Sequence, residues 1–177
     1  MPLRRTPGER HSPIRVERGE RLLADAVAEE AHLGGTRDAL YVVRRLGTAL
    51  ALEETLRIPW EDVQAADWDA ETTTLRVSEV GTWGEQRPEH AFVVPEPGRL
   101  LELVRERVTA SVVLQRHVPI RGRRGLRVIA RRAPRGDRPI RWIYEFDAGI
   151  DPDDPAVRRA AEEALAAARA DVGLDFS

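Results

Sequence analysis

Hydrophobic positions change their period several times along this chain, and each change marks an expected element. Residues 1–18 scatter apolar positions among three prolines and five arginines with no period, which predicts a mobile or loosely docked arm without a core. From Gly19 the stretch ERLLADAVAEEAHLGG is rich in helix formers. Leu22, Leu23, Ala26, Val27 and Ala31 fit one helical stripe, and Gly34-Gly35 fits a helix stop. Leu22, Ala24, Ala26 and Ala28 also alternate, so a strand stays open over residues 20–30, although local propensity favours helix. Thr36–Val43 reads as a strand with Leu40 and Val42 on one face and Tyr41 and Val43 on the other. TLRIPW then leads into a turn-like EDVQAADWDAE. In TTTLRVSEV, β-branched residues at period two predict a strand with Thr73, Leu75 and Val77 opposite Thr74, Arg76 and Ser78. EHAFVVP resumes the alternation, and Pro95 and Pro97 open a helix with Leu100, Leu101, Val104, Val108 and Val112 along one stripe.

The second half repeats strands in miniature. Leu114–Ile120, Leu126–Arg132 and Ile140–Asp147, separated by RGRRG and APRGDRP, predict an antiparallel meander. Ile140, Trp142, Tyr144 and Phe146 share its heaviest apolar face. A final helix is expected after Asp154 as N-cap and Pro155 at its first position, ending at Gly173. Val157, Ala161, Ala164, Leu165, Ala168 and Val172 would dock it, and Arg158–Glu162 and Arg159–Glu163 are i,i+4 pairs.

Several of these segments in this order resemble pleckstrin-homology-like domains of the PH/GRAM type. The segments are TRDALYVV, RIPWEDVQAADWD, TTTLRVSEV and the proline-led helix PGRLLELVRERV. The whole chain also resembles uncharacterised conserved proteins of actinobacteria. The resemblance covers roughly residues 19–112. It implies that ERLLADAVAEE is the first strand, against local propensity, and that the helix plugs a barrel. The expected fold class is therefore α+β: a PH-like antiparallel β-barrel closed by a helix over 19–112, then a βββα extension over 113–177. Phosphoinositide-binding members of the family carry a basic loop between their first two strands. EEAHLGG here is acidic and lacks arginine, which counts against inositol-phosphate binding at that place.

Composition changes this picture in one respect. All 28 basic residues are arginine and Cys is absent, so disulfides, thiolate metal sites and Cys nucleophiles are excluded, in keeping with an expected cytoplasmic location. No apolar run approaches the roughly 20 residues of a membrane span, and polar residues follow Arg4-Arg5 where a twin-arginine signal would need an apolar stretch. The net charge of -2 is a cancellation. Ten arginines crowd residues 116–141 against the single acid Asp137, while residues 20–115 and 145–177 are acidic. Arg121, Arg123, Arg124, Arg127, Arg131, Arg132 and Arg141 thus form a candidate anion- or partner-binding surface. The competing reading is a ribbon that neutralises the acidic C-terminal segment or a second copy of the chain.

Trp83, between Gly81 and Gly84, is the candidate exposed anchor. The four histidines lack metal-ligand spacing, and His90 and His117 are expected as satisfied strand residues. The acids Glu61, Asp62, Asp67, Asp69 and Glu71 lack calcium-loop order and read as a solvated turn. No phosphate-loop, dinucleotide or nucleophile-elbow motif is present. The expectation is a non-enzymatic protein-interaction module with no cofactor, no metal and no catalytic residue, partnered by another protein or by itself as a homodimer. The alternative is an Arg-mediated nucleic-acid or anionic-surface binder.

Overall fold

The computed structural model describes residues 12–46, 52–81 and 87–173. Its first sheet is antiparallel in the order β1 (Ala24–Val27), β2 (Ala31–Gly35), β3 (Ala39–Leu46), β4 (Leu52–Pro59). Trp60–Asp62 makes one 3₁₀ turn. The second sheet follows as β5 (Val63–Asp69), β6 (Thr74–Glu79) and β7 (Glu89–Val93), and helix α1 (Leu100–Ser111) comes next. The third sheet runs β10 (Arg141–Phe146), β9 (Arg124–Arg131), β8 (Val112–Arg121), and α2 (Pro155–Val172) ends the described chain. The protein is α+β with three separate antiparallel sheets. No closed barrel is formed among the described residues, because β4 passes into β5 through the 3₁₀ turn without pairing to it.

Alternation decides which faces are buried. In β3, Leu40 and Val42 point into a cluster with Leu33, Ile58, Trp60, Leu75, Val77, Phe92, Leu100 and Val104, so this core joins both sheets and α1. Ala39, Tyr41 and Val43 face the other way and are covered by Ile14, Val16 and Leu22. Residues 12–18 are therefore docked, in contrast to the coreless arm expected for them. Ile14 is buried, and the Glu17 amide donates to Tyr41 Oη at 3.0 Å. Residues 1–11 of that arm lie outside the described residues.

The helix-rich stretch after Gly19 forms strands, as the resemblance implies and local propensity does not. A few tenths of a kcal/mol per residue of propensity yields to the ladder that β1 makes with β2. The loop between these strands is only Ala28–Glu30, and His32 to Gly35 belong to β2. Gly34 and Gly35 are not a helix stop. A Cβ on Gly34 would meet Ile14 and Leu22, and one on Gly35 would meet Leu103, so the two glycines admit the docked arm on one face and α1 on the other.

EDVQAADWDAE is not one turn: Glu61 and Asp62 finish the 3₁₀ turn, Val63–Asp69 is strand β5, and the residues after it turn again. In α1 the buried stripe contains Leu103 beside Leu100 and Val104, while Val112 already opens β8. The C-terminal unit matches its expected outline. Asp154 accepts a hydrogen bond from the Ala156 amide, Pro155 starts α2, and Gly173 ends it in the left-handed conformation. Ala161, Ala164 and Ala168 pack on Leu126 and Val128, flanked by Trp142, Tyr144 and Phe146. Arg158 reaches back to Asp153 at 2.6 Å and not forward to Glu162.

Candidate functional site

Strand alternation in the meander sends Leu126 and Val128 toward α2 and Arg127, Ile129 and Arg131 to the opposite face. That opposite face meets the first part of the molecule. Arg131 is buried, with Nη1 donating to Ser111 Oγ at 2.7 Å and Nη2 to the Gln64 carbonyl at 2.7 Å. Burial holds its pKa below the ordinary arginine value, and Glu145 opposes that shift. Arg141 pairs with Asp62, and Gln64 Nε2 donates to Glu145. Arg127 lies 3.6 Å from Glu145 and 3.9 Å from Asp147, across the strand pair.

At the hairpin tip Arg121 pairs with Asp154 at 3.1 Å, and Arg124 reaches the Ala148 carbonyl at 3.4 Å. Arg123 and Arg132 are exposed. The structure thus places Arg121, Arg123 and Arg124 at the hairpin tip, sets Arg131 and Arg141 against the first part at an inter-unit seam, and does not gather the seven candidate arginines on one surface. Trp83 lies outside the described residues.

Two further arginines and their partners fall on the same seam: Arg135 Nη2 sits 2.6 Å from Asp38 and Arg138 Nη1 sits 3.4 Å from Glu61, whereas Arg116 pairs with Asp171 inside the C-terminal unit. The acids that meet the ribbon therefore come both from the C-terminal segment and from the first part. Reading the sequence missed this second source. The acidic balance of residues 20–115 was its only trace, because Arg135 and Asp38 are 97 positions apart.

The seam encloses a polar pocket of about 170 Å³, lined by Glu17, Glu20, Asp38, Glu61 and Asp137 and by Arg18, Arg57, Arg135 and Arg138. Thr36 Oγ1 donates to Glu20, and Arg57 donates to Glu20 at 2.6 Å and to Tyr41 Oη at 3.1 Å, which fixes one wall. On the other wall the Arg135 hydrogen bond, against some desolvation and with help from its charge and that of Arg37, lowers the Asp38 pKa below 3.8. The folded state therefore binds this proton less readily than the unfolded chain. The pair's contribution is present above about pH 4 and is lost as pH falls through the lower native value. Thermal scans are expected to show the melting temperature dropping below pH 4, with a shallower drop in Asp38→Asn; an equal drop in both proteins overturns the assignment.

A second concavity, of about 880 Å³, runs between β5 and α1, with Trp68, Leu101 and Val104 as apolar lining and Asp67, Glu102, Glu106 and Arg105 around it. β5 is an edge strand of its sheet. At its start the Gln64 carbonyl is taken by Arg131, while Ala66–Asp69 pair only with β6. This groove is not legible in the sequence, because VQAADWD lacks the clean alternation that marks a strand.

His90 Nε2 lies 2.6 Å from Glu79 and His117 Nε2 lies 3.2 Å from Asp147, so both are partnered strand residues. The acids expected as a solvated turn are dispersed: Glu61 is buried on the 3₁₀ turn, Asp62 meets Arg141, and Asp69 accepts from the amides of Glu71 and Thr72. No cluster of His, Asp or Glu suited to a metal ion occurs among the described residues. Nor is any described helix long and apolar enough to cross a membrane. No protein-family model matches the chain, and no curated protein does.

Proposed function

We propose that this chain is a non-enzymatic, cytoplasmic, PH-like interaction module that holds an extended segment of a partner protein in the groove between β5 and α1. The order of four strands, three strands and a helix around one shared core supports the PH-like reading. The observation that carries the function is the groove itself: an edge strand with part of its backbone unpaired, beside an apolar floor. An incoming strand would add main-chain hydrogen bonds on Ala66–Asp69 and place alternate side chains on Trp68 and Leu101. Asp67, Glu102 and Glu106 outnumber Arg105 at the rim, so the matching segment alternates apolar and basic residues.

The nucleic-acid alternative gains little support, since most ribbon arginines are engaged within the chain. A displayed library of random linear peptides, panned on the folded chain, tests the proposal. Enrichment of alternating apolar and basic sequences is expected, with micromolar binding weakened about tenfold by the double variant Glu102→Arg, Glu106→Arg. Absence of enrichment, or binding indifferent to that double variant, overturns it.

A further inference from the structure

The seam pocket contains one group whose chemistry is incomplete. Glu61 sits on the 3₁₀ turn with its side chain only 6% exposed, and it lines the pocket beside Asp137 and Arg138. Its Oε1 meets Arg138 at 3.4 Å, a long contact for a charge-assisted pair, and its Oε2 is buried with no hydrogen-bond partner. A buried carboxylate oxygen without a donor has lost its hydration with nothing in exchange, whereas an exposed one keeps its water.

The other deep acids of the pocket are already satisfied. Glu20 is held by Arg57 and Thr36, and Asp38 is held by Arg135. Arg138 is half-exposed, so it can swing into solvent at little cost. The lining has five carboxylates against four guanidinium groups, and the unmet group is an acceptor. Both facts select a cation over an anion. At about 170 Å³ the pocket is smaller than the roughly 300–1,000 Å³ of drug-sized sites, which excludes a nucleotide and suits a guanidinium or ammonium head on a short stem.

We propose that this pocket binds a small organic cation, an alkylguanidinium or alkylammonium, whose charged head displaces Arg138 and donates to Glu61. Asp137, beside Arg138 at the pocket, adds a second negative charge for the incoming group. The site lies apart from the groove, and neither proposal depends on the other.

Calorimetric titration of the full chain with agmatine and with methylguanidinium tests it, with inorganic phosphate as the anionic control. Saturable one-site binding of a cation and none of phosphate is the expected result. Glu61→Gln, which keeps the shape and removes the charge, is expected to weaken binding at least tenfold. Arg138→Ala removes the competing guanidinium from an exposed position and is expected to preserve or tighten it, so the test stands even if Glu61→Gln folds poorly. Absence of cation binding overturns the proposal, as does preference for phosphate, affinity unchanged in a folded Glu61→Gln, or affinity lost in Arg138→Ala.

Discussion

Replacing Arg131 with alanine is expected to destabilise the protein by about 3 kcal/mol, more than any other single change in the arginine ribbon. Its guanidinium ties β9 to two other elements: to Ser111 and the Val108 carbonyl at the end of α1, and to the Gln64 carbonyl at the start of β5. Hydrogen bonds to a charged donor are worth about 1.5–3 kcal/mol each, and the two at 2.7 Å dominate. Desolvating an arginine with no carboxylate at ion-pair distance among the described residues, and with its Nε buried without a partner, works against them, and alanine removes that penalty. The bonds still win, because alanine leaves the part-buried Gln64 carbonyl without its donor and a cavity where the side chain lay. For a chain of 177 residues, 3 kcal/mol corresponds to a fall in melting temperature of roughly 6–12 °C. Arg132→Ala is the control. It is the next residue, it is exposed, and it should change stability by no more than about 0.5 kcal/mol. Equal effects at the two positions would show that Arg131 does not hold the seam.

Arg131 also shows where reading the sequence stops. Alternation places it correctly on the face opposite Leu126 and Val128, but alternation is a local signal and says nothing about what that face meets. The meander, α2 with its Asp154 cap and Gly173 stop, and β6 and β7 were legible because each repeats a short pattern between clear punctuators. β5 was not. Its residues VQAADWD mix acids and alanines with half-buried positions on both faces, as suits an edge strand covered partly by α1. The stretch that became β1 carried a real helical signal, which long-range pairing to β2 overrode. The pocket was illegible for a third reason: Glu17 and Glu20 share one turn of the N-terminal segment while Asp38, Glu61 and Arg135 lie on three other segments, and only tertiary docking of residues 12–22 and 133–138 brings them together.

Truncating Trp60 to alanine is expected to cost about 3–5 kcal/mol from lost burial and the cavity left behind, before any polar effect is added. Trp60 heads the largest fully buried side chains, and it joins the core between the two sheets at the point where the chain leaves β4. Its indole Nε1–H donates to the Thr36 carbonyl at 3.0 Å, and its amide donates to the Asp38 carbonyl at 3.2 Å. Alanine keeps the amide bond but strands the Thr36 carbonyl, adding about 1–3 kcal/mol. Total stability of a domain is only about 5–15 kcal/mol, so Trp60→Ala is expected to be largely unfolded at 37 °C. Trp60→Phe separates the two contributions. It retains most of the apolar burial and loses only the indole donor, so chemical denaturation should give a folded protein weakened by about 1–3 kcal/mol with an unchanged slope. Thr36 and Asp38 flank the turn that leads to the pocket, and Glu61 directly follows Trp60. A folded Trp60→Phe protein should therefore also show altered amide shifts at Glu61 and Asp38, whereas shifts confined to the sheet core would mean that the tryptophan fills space without positioning the pocket.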